Sequence, residues 1–231
     1  MNVHLPPPAD RTPRPRAIFF DLDGTLIDPF EGITSCYQYA LDALGAPVPD
    51  ARRLACCIGP PLRRNFERLL KTSDRALVER AVVLYRERYG EIGWRQNVVY
   101  PGVLEMLDRL RGSGLHLYLT TAKPEPYATR IATHHGIAER LDGVFGPDLD
   151  GHLDDKARLV AKAIGATSVA ARAVLLVGDR EQDMRAAREN GLPGAGARWG
   201  YGSQQELTDA GASWLCDSPA QVLALALHLA S

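Results

Sequence analysis

Short apolar runs alternate with helix-like patterns along most of the chain. The runs are five or six residues long and several are bounded by Gly, Asp or Thr, which is typical of strands buried on both faces. Strands are therefore predicted over residues 16–20, 115–120, 172–177, 194–199 and 212–216. The segments between them have helical periodicity and predict helices over 102–112, 124–135, 154–164, 181–190, 203–210 and 219–229. This alternation predicts an α/β fold whose core is a Rossmann-like parallel sheet.

The stretch from residue 29 to residue 97 breaks the alternation. It contains no convincing strand, and its apolar positions recur at helical spacing, as at Leu77, Ala81 and Leu84. Four helices are predicted in it, over 31–45, 50–57, 60–71 and 74–89. We therefore predict an inserted all-helical cap domain at 29–97.

The remaining segments form the α/β core and a tail. The core domain is predicted from residues 16–28 and 98–231, and the proline-rich residues 1–15 are expected to be a disordered tail. The insertion directly follows the first predicted strand, at the sheet edge where open α/β folds bind ligands. We therefore expect the cap to cover an active site.

Charge and composition exclude several classes of partner. Among 231 residues the formal net charge is −1, so no basic excess favours nucleic acid. No apolar run approaches the roughly 18 residues that a membrane-spanning helix needs. The spacing of the four cysteines fits neither a zinc site nor a CxxC redox pair, which favours a reduced, cytoplasmic protein. The pattern leaves monomer and homodimer both open.

The tetrapeptide Asp-Leu-Asp-Gly occurs twice, at 21–24 and at 148–151. The first copy directly follows the apolar run 16–20, which places Asp21 at the end of a buried strand and Asp23 in the loop after it. The second follows Gly-Pro, and no strand is predicted before it. We therefore assign the chemistry to the first copy and a loop-shaping role to Asp148 and Asp150.

Other polar residues follow the predicted strands or begin helices. Thr121 ends one strand, with Thr120 as the alternative, and Asp179 ends another. Asp183 follows in the first turn of a helix, and Lys156 lies where a further helix begins. Because the carboxyl ends of parallel strands meet at one sheet edge, these groups are expected to share a crevice with Asp21 and Asp23. Carboxylates without His or Cys favour a hard cation, and Mg²⁺ is the predicted cofactor.

These motifs resemble those of the haloacid dehalogenase superfamily, in the same order along nearly the whole chain after residue 15. The residues that carry this resemblance are Asp21-Leu22-Asp23-Gly24-Thr25, Thr121, Lys156 and Gly178-Asp179 with Asp183. The predicted helical unit is similar to the cap that the family inserts after its first motif. Further stretches resemble a phosphoglycolate-phosphatase-like branch: Ile58-Gly59-Pro60-Pro61-Leu62, Leu149-Asp150-Gly151 and Tyr201-Gly202-Ser203.

The resemblance implies a Mg²⁺-dependent phosphomonoester hydrolase. Asp21 would attack phosphorus and form an aspartyl-phosphate, and Asp23 would act as general acid and then as general base. Thr121 and Lys156 would hold the phosphoryl oxygens. The implied substrate site also includes Leu22, Ala122 and Arg63, and the implied metal ligands are Asp21, the backbone carbonyl of Asp23, Asp179 and Asp183.

Several alternatives stay open at the level of sequence. Arg63 could be a solvated residue at a helix start, and Asp183 could orient Lys156 instead of binding metal. The substrate could be phosphoglycolate or a nucleoside 5′-monophosphate. The same residues would serve a phosphosugar mutase of the β-phosphoglucomutase type, and a non-catalytic binding protein could keep the same fold.

Overall fold

The computed structural model describes residues 14–149 and 155–230, so most of the predicted tail lies outside the described residues. The chain forms two compact units. The smaller spans Ile27–Val98, and the larger consists of the residues up to Leu26 together with those from Val99 onward. Among the described residues, none of the helices is both long and apolar enough to cross a membrane.

The larger unit is built on a six-stranded parallel sheet. The strands of the described chain are β1 (Ala17–Phe20), β2 (Ile27–Asp28), β3 (Val98–Val99), β4 (His116–Thr120), β5 (Gly143–Phe145), β6 (Val174–Gly178), β7 (Gly194–Ala197) and β8 (Trp214–Cys216). The sheet has the order β5-β4-β1-β6-β7-β8, and β2 pairs with β3 as a separate two-stranded sheet. The first strand lies in the interior of the sheet, and later strands are added on both sides of it. This is the Rossmann-like arrangement, so the predicted fold class is confirmed.

Helices cover the sheet of the larger unit. They are α5 (Val103–Gly112), α6 (Glu125–His134), α7 (Lys156–Ala166), α8 (Glu181–Glu189), α9 (Gln204–Asp209) and α10 (Pro219–Ala230), with 3₁₀ turns at Ala138–Arg140 and Ala171–Ala173. On one face Phe19, Leu176 and Met184 are completely buried in a common apolar cluster. Each helix begins and ends within two residues of its prediction, because apolar positions at helical spacing mark the face that packs on the sheet.

Strand β1 fixes the position of the residues that follow it. All four of its residues are fully buried, as expected for a strand covered on both faces. It pairs with β4 and β6, and Phe20 lies opposite both Leu119 and Val177. The three strands therefore end at nearly the same level, and the loops after them meet at one edge of the sheet.

The smaller unit is mainly helical. Its helices are α1 (Phe30–Ala43), α2 (Ala51–Leu54), α3 (Leu62–Leu70) and α4 (Arg75–Glu91), with 3₁₀ turns at Ala55–Cys57 and Gly93–Arg95. The predicted helix 50–57 is thus a single α-helical turn followed by a 3₁₀ turn. Tyr37 packs between Phe66 and Tyr85, with ring centroids 5.0 Å and 4.9 Å away, and buried Asn65 donates a hydrogen bond to the Tyr37 hydroxyl. This aromatic cluster gives the unit a core of its own.

Candidate active site

Asp21 is held at the end of β1 by the sheet itself. Its backbone N–H donates to the carbonyl of Val177 at 2.9 Å, which continues the pairing with β6 by one residue. The chain then turns sharply, because the N–H groups of Thr25 and Leu26 both donate to the carbonyl of Leu22. Gly24 permits the turn with a positive φ of 84°.

Lys156 joins two of the predicted site carboxylates. Its Nζ lies 2.5 Å from Oδ1 of Asp21 and 2.9 Å from Oδ1 of Asp183. Lys156 is the first residue of α7, and its side chain is only 5% exposed. The ammonium group therefore lies in the crevice. An isolated lysine at a helix start would instead be expected to extend into solvent.

Asp179 follows β6 and is completely buried. Its Oδ1 accepts a hydrogen bond from the Thr25 hydroxyl at 3.3 Å, and its Oδ2 accepts one from the Tyr201 N–H at 2.8 Å. A Cβ atom added to Gly200 would lie 2.3 Å from the Cβ of Asp179, and one added to Gly202 would lie 2.0 Å from its carbonyl oxygen. The loop after β7 thus packs so closely against the side chain and the backbone of Asp179 that only glycine fits at these two positions.

Asp183 is fixed in the first turn of α8. Its Oδ2 accepts a hydrogen bond from the backbone N–H of Arg180 at 3.1 Å, which caps the helix. A side chain on Gly178 would collide with this carboxyl group, because an added Cβ would lie 2.3 Å from its Cγ. The capping bond turns Oδ1 of Asp183 towards Lys156.

Burial dominates the electrostatics of these carboxyl groups. It raises the pKa of Asp179 well above its ordinary value, with a further increase from the neighbouring charges of Asp21 and Asp183. It also raises the pKa of Asp183 to about 6, although Lys156 opposes the shift. For Lys156 burial lowers the pKa, but the carboxylates of Asp183 and Asp21 outweigh burial and the net shift is upward.

Three carboxyl groups of the crevice lie close enough together to hold a divalent cation. Oxygen atoms of Asp21, Asp179 and Asp183 lie within 4.8 Å of one another. With all three ionised they would carry three negative charges, and the ammonium group of Lys156, which contacts two of them, balances one of these. A divalent cation would neutralise the remaining two and so favour the ionised carboxylates against the effect of burial. Oxygen donors alone also match the preference of Mg²⁺, and the donor set therefore fits the predicted ion.

Thr121 and Lys123 line the loop after β4. The Thr121 N–H donates to the carbonyl of Phe145 at 3.0 Å, and its hydroxyl accepts from the Lys123 N–H at 3.2 Å. The Nζ of Lys123 lies 2.8 Å from Oδ2 of Asp23. The alternative, Thr120, is the last residue of β4, and its buried hydroxyl has no hydrogen-bond partner among the described residues.

The remaining predicted substrate residues differ in position. Leu22 has a fully buried side chain, so only its backbone could contact a substrate, whereas Ala122 is exposed. Arg63 lies in α3 of the helical unit, and its Nε donates to Oε1 of Glu79 at 2.5 Å. Its predicted contact with substrate stays a prediction.

The second Asp-Leu-Asp-Gly copy needs one correction. The prediction that no strand precedes it is wrong, because β5 ends at Phe145, three residues before Asp148. Asp148 and Leu149 are in a loop as expected, whereas Asp150 and Gly151 lie outside the described residues. Strand β5 was missed because it is three residues long, begins with glycine and is only half-buried, so its apolar run is too short to stand out.

Sequence reasoning also missed Lys123 and the loop after β7. Lys123 follows Thr121 by two residues, and a lysine so close to a predicted site residue was the available signal. Trp199 donates its indole N–H to the carbonyl of Thr25 at 3.1 Å, and Tyr201 binds Asp179 as described above. Of the glycines in this loop only Gly202 belongs to a stretch that carries the resemblance, and nothing local in the sequence shows which residue Gly200 and Gly202 approach.

Comparison with known proteins places these motifs in a family. Residues 18–197 match the family described as haloacid dehalogenase-like hydrolase. A 5′-nucleotidase from Pseudomonas aeruginosa is 40% identical over 190 residues, covering 82% of this chain and 86% of that protein. A predicted phosphatase from Clostridium acetobutylicum has a crystal structure that superposes with a TM-score of 0.88 at 33% identity, covering 92% of this chain and 98% of that one.

Two further relatives have different names. The tyrosine-protein kinase PtkA of Mycobacterium tuberculosis is 35% identical over 188 residues, which is 81% of this chain but 64% of that longer protein. A phosphoglycolate phosphatase from Escherichia coli O157:H7 is 30% identical over 210 residues, covering 80% of this chain and 82% of that protein. The names therefore agree on phosphoryl chemistry and differ in the substrate.

Proposed function

Because the chain belongs to the haloacid dehalogenase-like hydrolase family, and its similar proteins and structures include phosphatases, we propose that it hydrolyses a small phosphomonoester through an aspartyl-phosphate on Asp21. It is a phosphatase by these relationships; the intermediate, the metal and the substrate are the proposal. The observation that carries the proposal is the buried ion pair of Lys156 with Asp21, at the end of the central strand.

In the first step a carboxylate oxygen of Asp21 attacks phosphorus, and the bond between phosphorus and the leaving oxygen breaks. The electron pair stays on the leaving oxygen, which receives a proton from Asp23 and departs as an alcohol. Lys156 and Thr121 are proposed to hold the other phosphoryl oxygens while negative charge is redistributed over them. Fixed donors of this kind supply most of the stabilisation that phosphoryl transfer needs.

In the second step Asp23, now a carboxylate, takes a proton from water as the water oxygen bonds to phosphorus. The bond between phosphorus and Asp21 breaks, which releases inorganic phosphate and restores the carboxylate. Asp23 is suited to change roles because its side chain is largely enclosed and paired with Lys123: loss of hydration raises its pKa, and Lys123 opposes that increase. The surroundings of Asp23 therefore favour neither the protonated acid nor the carboxylate so strongly that the other state is excluded.

Mg²⁺ is the proposed cofactor, held by Asp21, Asp179, Asp183 and the backbone carbonyl of Asp23. When bound it would offset the negative charge shared by the phosphoryl group and the attacking carboxylate. The all-oxygen donor set and the close approach of the three carboxyl groups, two of which Lys156 contacts as a cation, support this assignment. Asp183 could also act on the metal indirectly, since it already binds Lys156.

Nucleoside 5′-monophosphates are the first proposed substrates and phosphoglycolate is the second. The 40% identity to a protein named 5′-nucleotidase supports the former, and the 30% identity to phosphoglycolate phosphatase supports the latter. We further propose that the helical unit Ile27–Val98 acts as the cap that selects among them. The cytoplasmic location and the choice between monomer and homodimer stay predictions.

Release of inorganic phosphate tests the proposal directly. The full chain would be assayed with Mg²⁺ on nucleoside 5′-monophosphates, phosphoglycolate, sugar phosphates and p-nitrophenyl phosphate. We expect turnover to be concentrated on one of the first two classes and to disappear in excess chelator. Phosphate transfer to a sugar without release would favour the mutase, and binding without turnover would favour the non-catalytic protein. Full activity in excess chelator would contradict the metal assignment.

A further inference from the structure

So far Lys123 enters the chemistry only through its effect on the pKa of Asp23, yet its whole side chain is buried beside that proposed general acid. Its side chain is 6% exposed, and its Nζ lies 2.8 Å from Oδ2 of Asp23. Burying an ammonium group is costly unless a partner compensates for lost hydration, so a lysine in this position needs a reason. We propose that Lys123 is a positioning residue that aims the carboxyl group of Asp23 at the leaving oxygen.

The two oxygens of Asp23 have different surroundings. Oδ2 is paired with Lys123, whereas Oδ1 is buried and accepts no hydrogen bond from any described residue. A buried carboxyl oxygen without a partner is costly and uncommon, and such atoms concentrate where a ligand completes the site. Lys123 thus fixes one oxygen and leaves the other to exchange a proton with the substrate.

The loop that carries Lys123 is itself held firmly. The Lys123 N–H donates to the Thr121 hydroxyl, while the Thr121 N–H donates to the carbonyl of Phe145. A Cβ atom added to Gly146 would lie 2.7 Å from the Lys123 carbonyl oxygen, so the residues after β5 pack directly on the loop. The lysine backbone is therefore placed by β4 and β5 together, and its side chain reaches Asp23 from a fixed point.

The inference rests on the proposed function and deepens its first step. The proton of Asp23 passes from Oδ1 to the leaving oxygen as the bond between phosphorus and that oxygen breaks. Asp23 is left as a carboxylate, and the Lys123 ammonium already lies beside it to balance the new charge. A poorly leaving alkyl oxygen needs this proton, whereas an acidic aryl oxygen departs without it. Loss of Lys123 should therefore slow the hydrolysis of alkyl phosphates much more than that of aryl phosphates.

A lysine that merely bound the phosphoryl group would behave differently. Alkyl and aryl phosphates carry the same phosphoryl group, so losing a phosphate-binding cation would slow both alike. The ratio kcat/KM includes only the steps up to departure of the leaving group, so later hydrolysis of the aspartyl-phosphate does not obscure the comparison. A comparison of kcat/KM for the two substrate types separates the two roles.

The experiment compares the full chain with Lys123→Met, using adenosine 5′-monophosphate and phosphoglycolate as alkyl phosphates and p-nitrophenyl phosphate as the aryl one. We expect Lys123→Met to lower kcat/KM for the alkyl phosphates about 100-fold, the lower end of what general acid catalysis contributes, and for the aryl phosphate by less than about threefold. Lys123→Arg, which keeps the charge, should recover part of the loss. Lys162→Met, on an exposed lysine of α7, should change neither value.

A double-mutant cycle covers the case in which Lys123→Met leaves Asp23 unpaired and the protein unstable. Asp23→Asn removes the carboxylate but keeps an amide oxygen that can accept a hydrogen bond from the Lys123 ammonium, and Asp23→Asn/Lys123→Met removes both charges together. The alkyl kcat/KM values of these two variants should agree within about threefold if Lys123 acts only through Asp23. Equal losses on alkyl and aryl substrates, or a further alkyl loss in the double variant, would overturn the inference. If the unmodified protein hydrolyses none of the three substrates, the proposed function itself fails, which is a distinct result.

Discussion

The Nζ of Lys156 lies 2.5 Å from Oδ1 of Asp21, although the two residues are 135 positions apart in the chain. One ends the central strand and the other begins α7, so the fold alone brings them together. The same ammonium group lies 2.9 Å from Oδ1 of Asp183. One lysine thus holds the proposed nucleophile in place and keeps two buried carboxylates from repelling each other.

Replacing Lys156 should affect both stability and turnover. Lys156→Met leaves two carboxylates without their shared cation, and breaking a buried pair in this way costs about 3–5 kcal/mol. We also expect kcat to fall by about 100-fold to 1,000-fold, the effect of removing one fixed donor from a developing negative charge. Urea unfolding and phosphate release measure the two effects. Lys162→Met on the same helix is the control, and an equal response in both variants would contradict the role of Lys156.

Asp179 should link metal binding to folding stability. Saturating Mg²⁺ stabilises a protein that binds it only when folded, by about 2.7 kcal/mol at one hundred times the dissociation constant. We expect Mg²⁺ to raise the thermal midpoint of the unmodified protein and to leave that of Asp179→Asn nearly unchanged. Asp148→Asn, in the second tetrapeptide copy, should respond to Mg²⁺ like the unmodified protein. An undiminished shift in Asp179→Asn would remove this residue from the metal site.

The glycine loop around Asp179 allows a test that leaves every charged group in place. A methyl group at Gly200 would have to displace the Asp179 side chain or the carbonyl of Gly24, since the added Cβ would lie 2.4 Å from that oxygen. We expect Gly200→Ala to destabilise the protein by about 1–3 kcal/mol, the usual cost of overpacking, and to weaken the stabilisation by Mg²⁺. Gly165→Ala in α7 has open space around it and should stabilise by up to about 1 kcal/mol. Equal effects at the two glycines would argue against a close fit around Asp179.

Without metal, the stability of the protein should fall as pH rises through the titration of Asp183. Burial raises its pKa from 3.8 to about 6, so the folded state binds this proton more tightly than the unfolded chain does. The contribution of protonated Asp183 to the free energy of unfolding is complete below about pH 4 and lost above about pH 6. It amounts to about 3 kcal/mol at most.

The variant Asp183→Asn isolates this contribution from other titrating groups. Urea unfolding in the presence of a chelator, between pH 4 and pH 6, would give the free energy of unfolding for both proteins. We expect the unmodified protein to lose stability relative to Asp183→Asn across that window. A difference that stays constant or changes sign would show that Asp183 does not titrate with a raised pKa.

The parts of the fold that sequence predicts well are those with long, regular patterns. The strands β1, β4 and β6 can be predicted because each is an apolar run. The residues that follow them can be assigned to one edge of the sheet because parallel strands end together. Strand β5 was missed because three half-buried residues carry too little periodicity. The helix expected at 50–57 was too long, since its second half forms a 3₁₀ turn that the same apolar spacing also fits.

How much of the candidate site can be predicted from the sequence is limited by contacts between residues that are far apart in the chain. Asp21 and Asp179 could be named because each follows a predicted strand, whereas Lys156, at a helix start, was assigned only from its place in the order of the motifs along the chain. Nothing in the sequence near Lys123 reveals that it pairs with Asp23, one hundred residues earlier, and a surface position is the ordinary expectation for a lysine. Likewise, Gly200 looks like any loop glycine until the backbone around Asp179 is in view.

The central claim is that Asp21 becomes phosphorylated. The most direct measurement is rapid acid quenching of the protein with Mg²⁺ and a substrate that carries a radiolabelled phosphoryl group, followed by treatment of the protein with hydroxylamine, which cleaves acyl phosphates. We predict label on the unmodified protein that hydroxylamine releases, and none on a folded Asp21→Asn variant that also lacks turnover. Equal phosphate release by both proteins, or turnover with no labelled protein at any quench time, would contradict the aspartyl-phosphate mechanism.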